Sequence, residues 1–213
     1  MLARIELFRA VDEATRTRIA EQAVARVYER GQLVFLQGAP SDRLYVLAKG
    51  AVKVYVTSRG GDIVELVRHH APTVIGVVGL LDGTHSTTAE ALERSTLLVI
   101  PRSELMGLVR SEGPVAEALV RALGAIARRT FQQVTDLAFL DLQGRVARQL
   151  LNLAGGGART RQVTQGELAT MVSGARQTVN QVLRSLESRG YIRAAGRAFE
   201  ILDRERLEAL AEQ

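Results

Sequence analysis

At 213 residues, with 46% hydrophobic and 24% charged content, the chain can build one large or two modest domains with real cores, which excludes wholesale disorder. Its formal charge of +5 rests almost wholly on arginine, since Lys49 and Lys53 are the only lysines; this favours polyanionic partners, although GC-rich coding bias raises arginine equally. Absence of cysteine excludes disulfides, thiolate zinc sites and thiol redox sensing, while no run approaches the ~20 apolar residues of a membrane helix and no cleavable leader pattern opens the chain, so a cytoplasmic location without membrane contact is expected.

Between Leu7 and Val27, apolar Leu7, Val11, Ile19 and Ala23 recur at helical spacing, with Asp12 and Thr15 near plausible helix starts, so one or two short helices are expected. From Gly31 the period becomes two. Val52, Val54 and Val56 alternate with Lys53, Tyr55 and Thr57, which places the valines on one face of a half-buried strand. Further strands are expected at 33–36, 44–47, 63–67 and 96–100, separated by the turns Gly38-Ala39-Pro40, Lys49-Gly50, Gly60-Gly61-Asp62 and Asp82-Gly83. Short strands punctuated in this way indicate a β-barrel or jelly roll.

After Pro101 the pattern turns helical. From Val115 to Leu137 no proline intervenes, and Leu119, Leu123, Ile126, Thr130, Val134 and Leu137 follow one another at steps of four or three, the seam a two-helix interface requires. The alternative is one helix packed on its own barrel; a length of about 25 residues favours the dimer. Residues 140–144 read as a hinge, a further helix spans Arg145 to about Ala154, and Gly155-Gly156-Gly157 opens a flexible loop over 155–161.

Thr164-Gln165-Gly166-Glu167 matches a capping box, so a helix starts there and ends at Ser173-Gly174. A second helix begins near Arg176. Val179, Val182, Leu183 and Leu186 form its apolar stripe, while Arg176, Gln177, Asn180, Gln181 and Arg184 occupy the other face, without an acidic residue until Glu187. Arginine grips guanine O6 and N7, and glutamine or asparagine grips adenine N6 and N7, so Arg176, Gln177, Asn180 and Gln181 are candidate base readers. A strand from Gly190-Tyr191-Ile192-Arg193, the turn Ala195-Gly196-Arg197 and Phe199-Glu200-Ile201 make a hairpin wing, with Arg193 and Arg197 placed for phosphates. Helix, turn, helix and wing predict a DNA-binding unit for the major groove; a solvated helix hairpin is the blander reading. There is no phosphate-binding glycine loop with lysine, paired-histidine zinc motif or nucleophile elbow, and enzymatic activity is not expected. His69-His70 lacks a carboxylate partner and reads as surface loop rather than a metal site.

Three blocks resemble the cyclic-AMP receptor protein/FNR (CRP/FNR) superfamily of bacterial transcription regulators over essentially the full length. They are Gly31, Phe35, Gly38, Leu44-Tyr45-Val46-Leu47 and Gly50; Leu137-Ala138-Phe139-Leu140-Asp141 with Gly144-Arg145-Val146-Ala147; and Arg176-Gln177-Thr178-Val179 with Leu186-Glu187. The resemblance implies an α+β chain: a cyclic-nucleotide-binding-like β-roll (jelly roll) sensor over 1–110, a dimerisation helix over 111–139, and a winged helix-turn-helix over 140–213. It further implies a homodimer on palindromic promoter DNA, with RNA polymerase as a further partner. A regulatory module acting on a protein partner is the rival reading, disfavoured by the recognition helix.

By the same resemblance Arg176 reads guanine and Thr178 contacts phosphate; Thr164, Arg184, Arg193 and Arg197 are further candidate phosphate contacts. Gln177 stands where the family commonly has glutamate, and Gln181 where arginine is common, so base preference should differ. The effector cassette departs further: Val77 follows Gly76 in place of the ribose-holding glutamate, and Thr84-His85-Ser86-Thr87 contains no arginine for the cyclic phosphate. Thr130 keeps the adenine-facing hydroxyl, but Phe131 replaces the adjacent serine. Gly76, Val77, His85, Ser86, Thr87, Thr130 and Phe131 therefore define an effector pocket in which weak or absent cyclic AMP binding is expected. No cofactor is required; either another ligand or none acts there, and the hydroxyls of 84–88 read as a polar cradle or, more commonly, a solvated turn.

Overall fold

The computed structural model describes residues 2–9 and 11–212. Its contacts divide the chain into two units, one ending at Arg128 and the other starting at Arg129.

In the first unit, a turn of 3₁₀ helix at Leu2–Arg4 and α1 (Glu6–Arg9) precede α2 (Glu13–Gln22). Asp12 caps α2 by accepting the Thr15 N–H at 2.8 Å, and this bond, with the Thr15 hydroxyl, holds the Asp12 carboxyl below its ordinary pKa. Helix was expected up to Val27. It stops at Gln22, and β1 (Val24–Tyr28) begins because its residues pair with a later strand, which local periodicity does not report.

Seven strands and one helix follow: β2 (Leu33–Phe35), β3 (Arg43–Lys49), β4 (Ala51–Thr57), β5 (Ile63–His70), β6 (Thr73–Ile75), α3 (Val77–Asp82), β7 (Thr88–Ala91) and β8 (Ser95–Pro101). They form two antiparallel four-stranded sheets of order β1-β8-β3-β6 and β2-β7-β4-β5. Phe35, Tyr45, Leu47, Val52, Val54, Leu97 and Val99 fill the space between the sheets. Leu44, Val46 and Ile100, on the other face of the first sheet, pack against the helices, so β3 is buried on both faces.

The alternation read in β4 holds for Val52 and Val54 only. A register shift against β5 at Val54/Tyr55 breaks it, leaving Tyr55 buried and Val56 half-buried. The β3–β4 turn requires glycine: Gly50 has φ +91°, and a Cβ there would lie 2.3 Å from Ser95 Oγ. His69 and His70 prove to be the end of β5 rather than a loop, and as strand neighbours they face opposite sides, so they cannot share one metal.

Helix α4 (Arg102–Ser111) and the part of α5 (Gly113–Phe139) up to Arg128 complete the first unit, with Val115, Ala118 and Leu119 of α5 buried among the helical core residues.

The second unit contains the end of α5, then α6 (Leu142–Ala154), α7 (Gln165–Met171), α8 (Arg176–Ser188), β9 (Ile192–Ala195), β10 (Ala198–Ile201) and α9 (Arg204–Leu210). The expected hinge at 140–144 shrinks to Leu140 and Asp141, because Asp141 caps α6 by accepting the Gly144 N–H at 2.7 Å. Gly144 is a packing residue, not a pivot: a Cβ would lie 2.8 Å from the Leu210 carbonyl oxygen. Arg145 donates to the carbonyls of Leu140 (2.9 Å) and Val172 (3.0 Å), while Arg148 pairs with Asp136 and donates to the Ala211 carbonyl, fixing the last turns of α5 onto this unit.

Residues 155–161 are not wholly a free loop. After Gly155 caps α6, the chain runs along β10: Ile201 N–H donates to Ala158 O, Thr160 N–H to Phe199 O, and Phe199 N–H to the buried Thr160 hydroxyl. Val163 N–H then donates to Arg197 O, so the wing has a third, irregular strand. The core of this unit gathers Val146, Leu150, Leu168, Val179, Leu183, Leu186, Ile192, Phe199 and Leu207.

Candidate nucleic-acid interface

The capping box forms as read from the sequence: Thr164 Oγ1 accepts the Glu167 N–H at 3.2 Å, and Glu167 accepts the Thr164 N–H at 2.6 Å. The Thr164 hydroxyl acts there as an acceptor, which leaves its own proton for an outside group. The turn after α7 is tight. Ser173 adopts φ +52°, and a Cβ on Gly174 would lie 2.7 Å from Leu142 Cδ1 and 3.0 Å from Val179 Cγ2.

Helix α8 buries Val179, Leu183 and Leu186, with Val182 partly buried, and exposes Arg176, Gln177, Thr178, Gln181 and Arg184. Asn180 departs from the exposed stripe: it is half-buried, and its Oδ1 is enclosed without a hydrogen-bond partner. That oxygen is not presented for an adenine edge as the sequence reading requires. Ala175 at the N-cap supplies no side-chain cap, so the first amides of this 13-residue helix remain open at its positive end.

On the wing, Arg197 is exposed, and Arg193 faces Glu200 at 3.6 Å. The sequence reading missed two features here. Arg159 and Arg161, carried by the third wing strand, join the basic surface, with Arg159 donating to Ala195 O at 3.3 Å. Glu187 reaches from α8 to accept the Ala194 N–H at 2.8 Å. An acidic residue on a recognition helix was the available signal for the second; the first depends on long-range pairing.

The cassette around α3 is differently placed from the expectation. Gly76 opens α3 with φ +81°, but the Val77 side chain is directed into the helical core rather than a ligand space. His85 is 3% exposed and stacks on Phe35 with ring centroids 3.9 Å apart at 7°; burial lowers its pKa, with Asp42 partly opposing. Ser86 is exposed and Thr87 half-buried, while Thr88 is buried and accepts the Gln37 N–H. From Gly76 to Thr88 the only charged side chain is Asp82. Between Gly76 and Thr88 no arginine or lysine is present for a cyclic phosphate. Thr130 and Phe131 are both exposed on α5.

The residues expected to form a dimer seam fall in different environments. Leu119 is 6% exposed within its own unit's core and Leu123 packs against that core, whereas Val120, Phe131 and Val134 are 67%, 70% and 58% exposed. Val120, Gly124, Ala127, Phe131, Val134 and Ala138 follow at intervals of four and three, a stripe that lies one residue on from the expected seam over most of its length. Ile126 is half-buried, and Leu137 is exposed.

Comparison with known proteins places these parts in one lineage. Residues 25–112 match the cyclic nucleotide-binding domain family, and residues 144–210 match the Crp-like helix-turn-helix domain family. A CRP-like cAMP-activated global transcriptional regulator of Mycobacterium tuberculosis is 33% identical, over 97% of this chain and 96% of that protein. The chain belongs to the CRP/FNR superfamily of transcription regulators. Another member of the superfamily, the cyclic AMP receptor protein of Thermus thermophilus, is 31% identical over 87% of each chain. Among solved structures, the Thermus thermophilus catabolite activator protein aligns over 97% of this chain and 98% of its own, with 30% identity and TM-score 0.56. The c-di-GMP responsive regulator CLP of Xanthomonas campestris shares the fold at TM-score 0.78, covering 89% of this chain and 99% of its own. This CRP/FNR chain is thus a transcription regulator with a DNA-binding helix-turn-helix. Among the described residues, no helix is long and apolar enough to cross a membrane, and no cluster of three or more histidine, cysteine, aspartate or glutamate side chains is placed to hold a metal.

Proposed function

We propose that the chain acts as a homodimer on pseudo-palindromic promoter DNA and does so without cyclic AMP. The observation that carries the reading is the α8 surface: Arg176, Gln177, Gln181 and Arg184 stand in solvent while Val179, Leu183 and Leu186 anchor the opposite side. The fork of Arg176 and the amides of Gln177 and Gln181 on a short, uncapped helix suit base edges in the major groove, and Thr164, Thr178, Arg184, Arg193 and Arg197 flank them as phosphate contacts. Two such helices require a pairing surface, which the exposed seam on α5 supplies. RNA polymerase is the further partner of a promoter-bound regulator.

Cyclic AMP independence rests on the cassette: Val77 is core, no arginine lies between Gly76 and Thr88, and His85 is packed on Phe35. The names of several relatives state activation by cAMP; here an unpaired cyclic phosphate would lose a charged contact worth several kcal/mol by the ~2–5 kcal/mol scale of such truncations. Selection from a random duplex pool tests both claims. Half-sites about one helical turn apart, or a multiple of it, should be recovered, and adding millimolar cyclic AMP should leave the measured affinity for them unchanged. Asymmetric sites alone would refute the dimer; a saturable cAMP enhancement would refute the pocket reading.

A further inference from the structure

The register of the β1-β8-β3-β6 sheet aligns Val24, Val99, Tyr45 and Ile75 in one row on the face that looks toward the second sheet. The last three are buried between the sheets, but Val24 is 58% exposed. An apolar side chain on an inner face that remains in water marks the place where the covering sheet stops. A groove of about 370 Å³ opens there, with Val24, Val99 and Pro101 as its apolar floor. Arg26 and Arg43 also line it. Each lies two residues along its strand from this row, Arg26 beyond Val24 and Arg43 before Tyr45, so both share its face and bracket it from opposite ends.

Arg26 makes no salt bridge among the described residues, and Arg43 meets only its neighbour Asp42, at 3.4 Å with both side chains well exposed. The same groups converge on the Tyr45 phenol, whose pKa is raised first by burial and then acted on by Tyr28, Arg43, Asp42 and Arg26. Beyond Tyr45 the row runs toward Gly76, where a Cβ would meet the rings of Phe35, Tyr45 and His85 at 3.4–3.6 Å, and none of these three rings lines the groove.

We propose that this groove is a binding site for a small aromatic carboxylate, its rings on Val24, Val99 and Pro101 and its carboxylate held between Arg26 and Arg43. Guanidinium forks match a carboxylate in geometry. Two guanidiniums and one carboxylate leave a single net positive charge, which matches a monoanion; a dianionic phosphate would set its second charge against Asp42. The cavity lies in the size range of small-ligand sites and admits a two-ring body.

The site is independent of the DNA-binding reading, and its test needs no DNA. Full-length protein is titrated with 2-naphthoate by calorimetry and by amide chemical shifts, with naphthalene-2-methanol as the uncharged control. Saturable binding of one naphthoate per chain is expected, with shifts centred on Val24, Arg26 and Val99, and the alcohol at least about tenfold weaker. R26Q/R43Q should lose about tenfold in affinity, and D42N, which removes the competing carboxylate, should bind more tightly. The tightening in D42N is a gain that misfolding cannot imitate. Equal binding of the alcohol, unchanged affinity in R26Q/R43Q, no gain in D42N, shifts centred on residues 76–88, or no saturable binding would each overturn the assignment.

Discussion

Glu187 Oε1 accepts the Ala194 N–H at 2.8 Å, joining the last turn of the recognition helix to the first wing strand. The bond fixes where Arg193 and Arg197 stand relative to Arg176, and on the proposed reading therefore which phosphates and bases would be touched together. E187A should leave the fold intact but weaken operator binding by about 1 kcal/mol, the scale of one lost hydrogen bond. The loss should be equal on all operator variants, and E187Q, which keeps an acceptor, should restore most of it. Fluorescence anisotropy with a set of operator variants gives the affinities, and amide exchange at Ala194 reports the tie itself. A loss confined to one base pair would assign Glu187 to base reading instead.

Arg176 and Arg197 should separate cleanly in the same assay. R176A removes a fork that the proposed reading directs at a base edge, so about 1–3 kcal/mol should disappear at one guanine, with discrimination relaxed there. R197A removes a wing charge, so binding should weaken by a similar amount on every sequence and the salt dependence should become shallower by about one counterion. Uniform losses in both would remove Arg176 from the base-reading set.

Much of this architecture is legible in the residues alone, because local chemistry dictates it. The Thr164–Glu167 box and the α8 apolar stripe depend on neighbours within four residues, the Ser173-Gly174 turn is marked by its own residue types, and all three form as read. What escaped the sequence is non-local. Strand β1 exists through pairing with β8, and the 158–163 strand through pairing with β10. Leu119 and Val77 match ligand or dimer spacings, yet both are used in a core whose other members lie far away in sequence. Asn180 has the chemistry of a base reader, but packing leaves its oxygen enclosed.

The displaced α5 seam yields a paired prediction. Phe131→Glu places a charge on an exposed apolar position that only the displaced seam contains, so it should shift the protein to monomers in light scattering and abolish high-affinity palindrome binding while leaving the melting temperature of the monomer largely unchanged. Leu119→Ala instead opens a cavity in the first unit's core, so it should destabilise by about 2–5 kcal/mol while the remaining folded protein stays dimeric. A dimer that survives Phe131→Glu and dissociates on Leu119→Ala would return the seam to the Leu119 register.

His85 should make the stability of the first unit sensitive to mild acid. Its imidazole is buried against Phe35, and that burial lowers its folded-state pKa below the ordinary 6.5, with Asp42 the charged neighbour working in the opposite direction. As pH drops below 6.5 the unfolded chain binds a proton that the folded chain still refuses, so unfolding becomes progressively more favourable until the folded-state pKa is passed. Above 6.5 the term vanishes, because neither state is protonated. His85→Phe keeps a ring on Phe35 and removes the titration. Urea midpoints of the full-length protein measured from about pH 7.5 to 5 should therefore fall more steeply for the natural sequence than for H85F. Parallel pH profiles would show that the imidazole titrates identically in both states, and hence that it is hydrated rather than packed as described.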